Sequence, residues 1–153
     1  MTPLAPAQKS VFRIRGLITA AFLLIPALFA DTAIARETPL PFGLATGAAL
    51  ALGLLLVFVV PARRYRAWAY EATGDELHVR HGIWMQSRTV VPFGRVQHID
   101  VSQGPVERHY GVGTLTLHTA GTRSGAVALP GLEIATAERM RDEIRGKIRQ
   151  DLV

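Results

Sequence analysis

Apolar positions are nearly continuous through the first 60 residues and alternate with polar positions afterwards. Residues 40–60 form a run of 21 residues without a charge. About 20 such residues in a helix cross the hydrocarbon core of a bilayer, and a helix satisfies its own backbone hydrogen bonds in lipid. We therefore predict that this run spans a membrane, in preference to forming the buried core helix of a soluble protein.

A second apolar stretch, residues 16–35, precedes this run and is interrupted by Pro26 and Asp31. The proline is expected to kink a helix, because it removes a backbone hydrogen bond. Asp31 falls near the far end of the stretch, where a carboxylate reaches headgroups and water. We interpret Asp31 as an interfacial residue beside a turn over residues 31–40, with a functional intramembrane carboxylate as the alternative.

The first stretch also has features of a secretory signal peptide. Three basic residues precede its apolar part, and Ala33 and Ala35 supply the small residues typical of a cleavage site. The length of the stretch and the second span close behind it favour a retained helix. Residues 62–153 lie on the same side of the membrane under both interpretations.

The positive charge of the chain is concentrated beside the two apolar stretches. The net charge is +5, of which residues 1–35 contribute +2 and residues 62–66 contribute +3, whereas residues 67–153 carry ten basic and ten acidic side chains. The positive-inside rule then predicts that both termini lie in the cytoplasm. A nucleic-acid-binding domain needs a cationic face, so the neutral count over residues 67–153 argues against that function.

The part that follows Pro61, the expected end of the second span, shows the short alternating patterns of β-strands. Glycine- and proline-containing turns separate these patterns. Residues 106–110 are compatible with a short helical turn or an irregular loop. The predicted strands after the first turn occupy residues 76–80, 87–91, 95–103, 114–118 and 126–129.

After Pro130-Gly131 the apolar period becomes helical, with Thr136 as the expected N-cap. One apolar stripe recurs at steps of three and four residues, at Ala137, Met140, Ile144, Ile148 and Leu152. The predicted fold is a two-helix transmembrane hairpin followed by a mainly-β domain of about seven antiparallel strands, capped by this C-terminal helix. The expected division is a basic cytoplasmic N-terminus (1–15), the hairpin (16–61, spans 16–35 and 40–60) and the domain (62–153, final helix about 136–150).

One block of the domain carries a family resemblance. Its first part reads Arg95-Val96-Gln97-His98-Ile99-Asp100-Val101-Ser102-Gln103-Gly104-Pro105, followed by Arg108, Gly111-Val112-Gly113-Thr114-Leu115 and Thr119-Ala120-Gly121. With the preceding spans, this block resembles the membrane-flanked bacterial pleckstrin-homology (PH) family, often called YdbS-like. The resemblance implies two antiparallel sheets packed near right angles with the C-terminal helix over one open end. It implies no chemistry, and it leaves without a role the motif residues Arg95, Gln97, Gln103, Gly104, Pro105, Arg108, Gly111 and Gly113.

Residues suited to catalysis or cofactor binding do not form a recognisable pattern. The chain has no cysteine, which excludes disulfides, thiolate metal sites and cysteine nucleophiles. The five histidines lack metal-ligand spacing and are interpreted as surface or hydrogen-bonded residues. Gly111 and Gly113 lack the third glycine of a dinucleotide loop, and no serine lies in a nucleophile elbow. We therefore expect no enzyme activity, metal, cofactor or small-molecule substrate.

The leading hypothesis is a non-catalytic interaction or scaffold module, held by its hairpin at the cytoplasmic face of a bacterial inner membrane and binding a protein partner. A second hypothesis is a sensor of anionic lipid surfaces, in which headgroups contact Arg63, Arg64, Arg66 and Trp68, with Arg80, Arg88 and Arg95 as further candidates. The alternative for the first three of these arginines is that they only determine the membrane topology of the chain. A third hypothesis is homo-oligomerisation through sheet edges or through Gly43 and Gly47, whose spacing allows close helix approach but is also common in membrane helices.

Overall fold

The computed structural model describes residues 1–37, 43–119 and 125–150, with side chains throughout except at 34–37 and 149–150. The contacts divide the chain into two units. One unit is Val11–Arg63, and the other joins Met1–Ser10 to Arg64–Val153. The first ten residues therefore belong to the same unit as the C-terminal part, in contrast to the expected separation of residues 1–15 from the domain.

The unit Val11–Arg63 is built from two long helical segments. Helix α1 is Ala7–Glu37, and the second segment consists of α2 (Leu44–Leu54), a π-helical turn (Leu55–Val59) and α3 (Val60–Ala67). Within them, Ala7–Ala33 and Leu44–Ala67 are long and apolar enough to cross a membrane. The first predicted span, 16–35, lies inside α1, and the second, 40–60, overlaps the second segment from Leu44 onward.

Pro61 does not end the second helical segment, contrary to the sequence prediction. The π-helical turn immediately before α3 already changes the hydrogen-bond pattern, since the N–H of Val60 donates to the carbonyl of Leu55. Pro61 is the second residue of α3, directly after this π-helical turn, and the fixed φ of proline is compatible with a helix. The helix therefore continues to Ala67.

The turn between the two helical segments begins later than predicted. Helix α1 continues through Asp31 to Glu37, so Asp31 is a helical residue and not part of a turn. Its carboxylate is buried and accepts hydrogen bonds from the backbone N–H groups of Ala45 and Thr46, each at 2.9 Å. Asp31 therefore caps the N-terminus of α2.

Small residues bring the two helical segments of the hairpin into contact. A methyl group added at Gly16 would overlap the carbonyl oxygen of Leu56, and one added at Gly53 would lie 3.1 Å from the methyl group of Ala20. A methyl group at Gly43 or Gly47 would meet no atom within 4 Å. Among the described residues, the close approach is thus made at Gly16 and Gly53.

The second unit contains seven antiparallel strands in two sheets. The first sheet has the order β1-β2-β3-β4 and the second the order β5-β6-β7. A short 3₁₀ turn, Phe93–Arg95, joins the sheets, and helix α4, Pro105–His109, joins β5 to β6. The strands are β1 (Thr2–Pro3), β2 (Ala69–Thr73), β3 (Glu76–His81), β4 (Ser87–Pro92), β5 (Val96–Ser102), β6 (Val112–Thr119) and β7 (Ala126–Glu133).

The predicted fold class is confirmed, with one of the seven strands in an unexpected place. Strand β1 precedes the helical hairpin in the chain and pairs with β2, with Thr2 opposite Tyr70 and Pro3 opposite Ala69. The hydroxyl of Tyr65 donates a hydrogen bond to the carbonyl of Leu4 at 2.9 Å, and Leu4 is a buried core residue. The N-terminus is therefore a structural part of the β domain.

The end of the last strand and the start of the last helix differ from the sequence prediction. Strand β7 continues through Pro130-Gly131 to Glu133, because a register shift at Gly113/Thr114 absorbs Gly131, whose φ is +74°. Helix α5 is Ile134–Gln150, so Thr136 lies inside the first turn and is not the N-cap. Between the predicted strands 114–118 and 126–129 a glycine-containing turn is expected at Gly121 to Gly125, and all of it except Gly125 lies outside the described residues, as does Leu152.

The core lies between the two sheets and α5. Its members come from every strand of the domain except β1 and β2, with Leu4 added from the N-terminal segment. The predicted stripe on α5 is confirmed at Ala137, Met140 and Ile144, all buried. The other core members are Leu77, Val79, Val91, Phe93, Val96, Leu115, Leu117, Leu129 and Leu132.

Candidate functional site

A groove of about 400 Å³ lies between the last strand of each sheet. From β4 it is lined by Ser87 and by residues 89–92, and from β7 by residues 126–128. Consecutive residues of a strand point to opposite faces, so a lining by consecutive residues means that the edges of the strands, rather than one face, border the groove. We call it the edge groove.

The two strands that border the edge groove are terminal in their sheets. Among the described residues, β4 pairs only with β3, and β7 pairs only with β6. An edge strand presents backbone N–H and C=O groups that can pair with an added strand. The edge groove therefore offers hydrogen-bonding backbone on both of its sides.

The side chains of the edge groove are mostly apolar or hydroxylic. Val91 is buried in the core, whereas its neighbour Val90 is 47% exposed. Arg95, a motif residue, is exposed and contributes to the lining together with His81 and Thr119. None of the described lining residues is acidic. The groove thus combines apolar contact, backbone hydrogen bonding and one permanent positive charge.

The residues predicted to contact lipid headgroups differ in their surroundings. Arg63, Arg64 and Arg66 are exposed in α3. Trp68 instead is partly buried, packs against the core and stacks on His81, with ring centroids 4.9 Å apart and an interplanar angle of 25°. Trp68 is therefore a packing residue of the β domain.

Most of the motif between Gln103 and Gly113 builds the connection from β5 to β6. Helix α4 begins after Gly104, whose N–H donates to the carboxylate of the buried Glu107 at 2.8 Å. Pro105 occupies the first helical position, where its missing N–H leaves no bond unmade. These contacts explain the proline at the first helical position and the acidic residue two positions after it.

The end of the same connection depends on the remaining motif glycines. Gly111 has a φ of +66°, which favours glycine after a helix, and its carbonyl accepts the N–H of Ile134 at 3.1 Å. The side-chain amide of Gln103 donates to the carbonyl of Val112 at 2.8 Å. A methyl group at Gly113 would lie 3.1 Å from the carbonyl oxygen of Ser102. The motif residues Gln103, Gly104, Pro105, Gly111 and Gly113 thus have structural contacts.

The other two motif residues are on the surface. Arg108 is an exposed residue of α4. Gln97 is exposed on β5 and lines a second, open cavity of about 380 Å³ beside Arg141 and Arg145 of α5. Neither residue lines the edge groove.

The histidines of the β domain are at least partly exposed, and three of them lie within 3.3 Å of a carboxylate oxygen. The Nε2 atoms of His98 and His118 lie 2.8 and 3.1 Å from separate carboxylate oxygens of Asp100. His78 lies 3.3 Å from the carboxylate of Glu76. In the part of the chain that the structure describes, no group of three or more histidine, cysteine, aspartate or glutamate residues is arranged to hold a metal ion.

The comparisons with known proteins agree with this architecture. Residues 15–148 match the family model described as Bacterial PH domain. The chain belongs to the bacterial PH domain family. It is 34% identical over 143 residues to the UPF0699 transmembrane protein YdbS of Bacillus subtilis (strain 168), with 92% of this chain and 88% of that protein covered. The resemblance inferred from the motif is thereby confirmed.

A second relative is more distant and longer. The UPF0699 transmembrane protein YdbT of the same organism is 28% identical over 105 residues, which cover 67% of this chain and 21% of that protein. No solved structure matches the chain at a significant level. The bacterial PH domain and the two membrane-capable helices together make this protein a membrane-associated PH-like module, as the apolar stretches and the motif predicted.

Two surfaces of the domain did not emerge from the sequence. The edge groove depends on which strands end each sheet, and that is a long-range property with no local pattern. The exposed loop Ile83-Trp84-Met85 between β3 and β4 had a local signal, because three consecutive apolar residues follow a glycine in a polar context. That run stood out only as a break between two strands.

Proposed function

We propose that this protein is a non-catalytic interaction module on the cytoplasmic face of a bacterial inner membrane, and that the edge groove binds an extended segment of a protein partner. The observation that carries the proposal is the pair of terminal strands, β4 and β7, that border one groove. A peptide in extended conformation satisfies both edges through its backbone and places its side chains against Val90 and Val127.

The chemistry of the groove supports a protein ligand. Its described lining contains valine, alanine, threonine and proline with one arginine, a composition suited to a neutral or acidic peptide with small apolar side chains. The one titratable imidazole, His81, is stacked on Trp68. This lining offers packing and hydrogen bonding rather than a general acid and base.

Site-specific photocrosslinking in living cells tests the proposal. A benzophenone amino acid at Val90 or Val127 is expected to capture a partner of defined mass, and the same group at Glu138, which is exposed on α5, is not. Thr89→Pro, which removes a backbone donor from β4, should abolish the crosslink. Equal capture at Val90 and Glu138, or none at the groove positions, contradicts the proposal. A crosslink between two copies of the chain would support homo-oligomerisation in its place.

The cytoplasmic orientation is supported by the three cations before the first apolar stretch and the three arginines after the second. Because the chain has no cysteine, single cysteines report topology directly. In spheroplasts, a membrane-impermeant maleimide should label Thr38→Cys and leave Asp75→Cys unlabelled until the cells are lysed. Labelling of Asp75→Cys in intact spheroplasts contradicts the proposed orientation.

A sensor of anionic lipid is the second candidate, supported by the exposure of Arg63, Arg64 and Arg66 in α3. Each basic residue near an anionic bilayer surface contributes about 1 kcal/mol of attraction. The full chain with all three arginines changed to glutamine should retain less phosphatidylglycerol on purification than the wild type. Unchanged lipid retention leaves these arginines with a role in topology alone.

A further inference from the structure

The loop between β3 and β4 exposes three consecutive apolar side chains, Ile83, Trp84 and Met85, which we call the tryptophan tip. Trp84 is 91% exposed, Met85 is 87% exposed and Ile83 is 39% exposed. Apolar side chains grouped on a surface mark an interaction site when they are contiguous. Outside the membrane-capable helices, no other described pair of neighbouring large apolar residues is exposed to this degree.

The conformation of the loop holds these side chains outward. Gly82 has a φ of +113°, and a methyl group there would overlap the carbonyl oxygen of Met85. The loop is thus closed tightly on its glycine, in a turn that other residues adopt only with strain. The three apolar side chains project from this closed turn rather than folding back onto the sheet.

The tryptophan tip lies at the end of the first sheet where the chain arrives from the membrane-capable helix. Strand β2 begins at Ala69, two residues after α3 ends at Ala67. Ala69 pairs with Arg80, and Arg80 pairs with Arg88, so the tip that joins β3 to β4 lies beyond this same end. The turn Gly74-Asp75 lies at the opposite end of β2 and β3.

The N-terminal connection leaves the sheet at that end as well. Strand β1 pairs Pro3 with Ala69, and helix α1 begins at Ala7, four residues later. Both connections from the sheet to the membrane-capable helices are therefore at the end that carries the tip. From this end of the sheet the chain therefore leads within a few residues into the helices that are apolar enough to cross a bilayer.

The charge beside the tip matches a lipid surface. Arg80 and Arg88 are directly opposite in register, on the same face of the sheet, and both carry positive charge that anionic headgroups attract. Tryptophan is enriched at the membrane–water interface because its ring is apolar and its N–H is polar. Met85 and Ile83 add purely apolar surface on either side of it.

We propose that the tryptophan tip inserts into the interfacial region of the bilayer that holds the chain's own helices, with Arg80 and Arg88 at the headgroups. This third attachment restrains the β domain against the membrane surface. It goes beyond the proposed partner binding, and it rests only on the membrane association of the family. The edge groove plays no part in the inference.

Spin labels on the full chain in phosphatidylethanolamine–phosphatidylglycerol nanodiscs test the insertion. Met85→Cys carries the label at the tip, and Asp75→Cys is the matched control at the opposite end of the same strands. Power saturation should show the label at position 85 accessible to oxygen and shielded from nickel chelate, as in lipid, with the control accessible to nickel chelate. Equal nickel accessibility at both positions overturns the proposal. Shielding of position 85 from both reagents indicates a protein contact and overturns it as well.

A second measurement leaves the tip unlabelled. In Trp68→Phe, which keeps an aromatic ring on His81, Trp84 is the remaining tryptophan of the chain. Its fluorescence should be quenched by lipids brominated near the headgroup and should move to longer wavelength in Arg80→Gln/Arg88→Gln. Emission typical of water that brominated lipid does not quench contradicts the insertion, whatever the outcome of the crosslinking at Val90.

Discussion

Asp31 in the first membrane-capable helix binds the start of the second through Thr46, 15 residues later in the chain. The carboxylate accepts the backbone N–H groups of Ala45 and Thr46 and the hydroxyl of Thr46. These N–H groups belong to the first turn of α2 and have no partner within their own helix. A carboxylate there also interacts favourably with the helix dipole. Asp31 therefore fixes the geometry of the hairpin, which explains a buried acidic residue in an apolar stretch.

Removal of this cap should destabilise the hairpin. Asp31→Ala is expected to lower the free energy of unfolding by about 0.5–2 kcal/mol, the usual range for loss of an N-cap. Asp31→Asn keeps one acceptor oxygen, so its free energy of unfolding should lie between those of the wild type and Asp31→Ala. Thr32→Ala is the control, since the hydroxyl of Thr32 bonds to Phe29 in its own helix. Unfolding in a detergent titration, followed by circular dichroism, measures the difference. Equal stability of Asp31→Ala and Thr32→Ala would contradict the capping role.

The two glycines of the hairpin that face different surroundings give a second prediction. Gly16→Ala should weaken the contact between the helical segments, because the added methyl group overlaps the rigid backbone carbonyl of Leu56. Gly47→Ala meets no atom within 4 Å and should slightly favour the helix. Detergent titration of the two variants is expected to show opposite changes in stability. A loss of oligomer in Gly47→Ala without loss of stability would instead support the small-residue contact between copies.

The hairpin shows which structural features a local pattern can predict. Both membrane-capable helices were predicted because apolar length is a property of consecutive residues. The contacts at Gly16 and Gly53 were not predicted, because they depend on which face of each helix meets the other. Pro61 was expected to end its helix from its local preference, and the π-helical turn before it removed the conflict.

The contact between Gln8 and Gly131 gives a third prediction. A methyl group at Gly131 would lie 2.5, 2.8 and 2.9 Å from three carbon atoms of the buried Gln8 side chain. Gly131 itself has a φ of +74°. Gly131→Ala should therefore lower the free energy of unfolding by about 1–2 kcal/mol for an alanine in the left-handed conformation, and by a further amount for the clash with Gln8. Gly111 has φ +66° and no atom within 4 Å of an added methyl group. Gly111→Ala should therefore show only the loss that comes from the left-handed conformation.

A double-mutant cycle separates the two contributions. Gln8→Ala removes two of the three carbon atoms that the new methyl group would meet, so Gln8→Ala/Gly131→Ala should be more stable than the sum of the single changes predicts. Chemical denaturation of the three variants measures the coupling. Strict additivity would show that the N-terminal segment does not pack on β7 at Gly131.

The motif between β5 and β6 gives a fourth prediction. Glu107→Ala leaves the N–H of Gly104 without its acceptor and should lower the free energy of unfolding by about 1–3 kcal/mol, with a smaller loss for Glu107→Gln. The exposed Glu138→Gln serves as the control. Photocrosslinking from Val90 should be unchanged in every Glu107 variant that remains folded. A loss of crosslinking with unchanged melting temperature would assign the motif to binding rather than to folding.

The motif and the edge groove differ in how far the sequence could predict them. Gly104, Pro105 and Gly111 act within one short connection, so their residue types and spacing are visible as a pattern, although the pattern does not distinguish a structural from a binding role. The edge groove joins residues 89–92 to residues 126–128 only after each sheet has formed. Strand β1 was not predicted either, because a strand of two residues is too short to show an alternating pattern.

The phenol of Tyr70 gives a prediction at alkaline pH. Burial of the side chain, with the negative charge of Glu133 as a smaller cause, raises the pKa of Tyr70 above its ordinary value of 10.0. Just above pH 10 the phenol is still protonated in the folded protein but ionises in the unfolded chain. The contribution of this phenol to the stability is therefore fully present below pH 10 and is lost as the pH rises through the raised pKa. Above pH 10, the free energy of unfolding should decrease less steeply with pH in Tyr70→Phe than in the wild type. The decrease in Glu133→Gln should be intermediate between those two. Urea denaturation over this pH range, with phenolate absorbance recorded in parallel, measures both effects. Superimposable curves for the wild type and Tyr70→Phe would show that this phenol titrates equally in the folded and the unfolded chain.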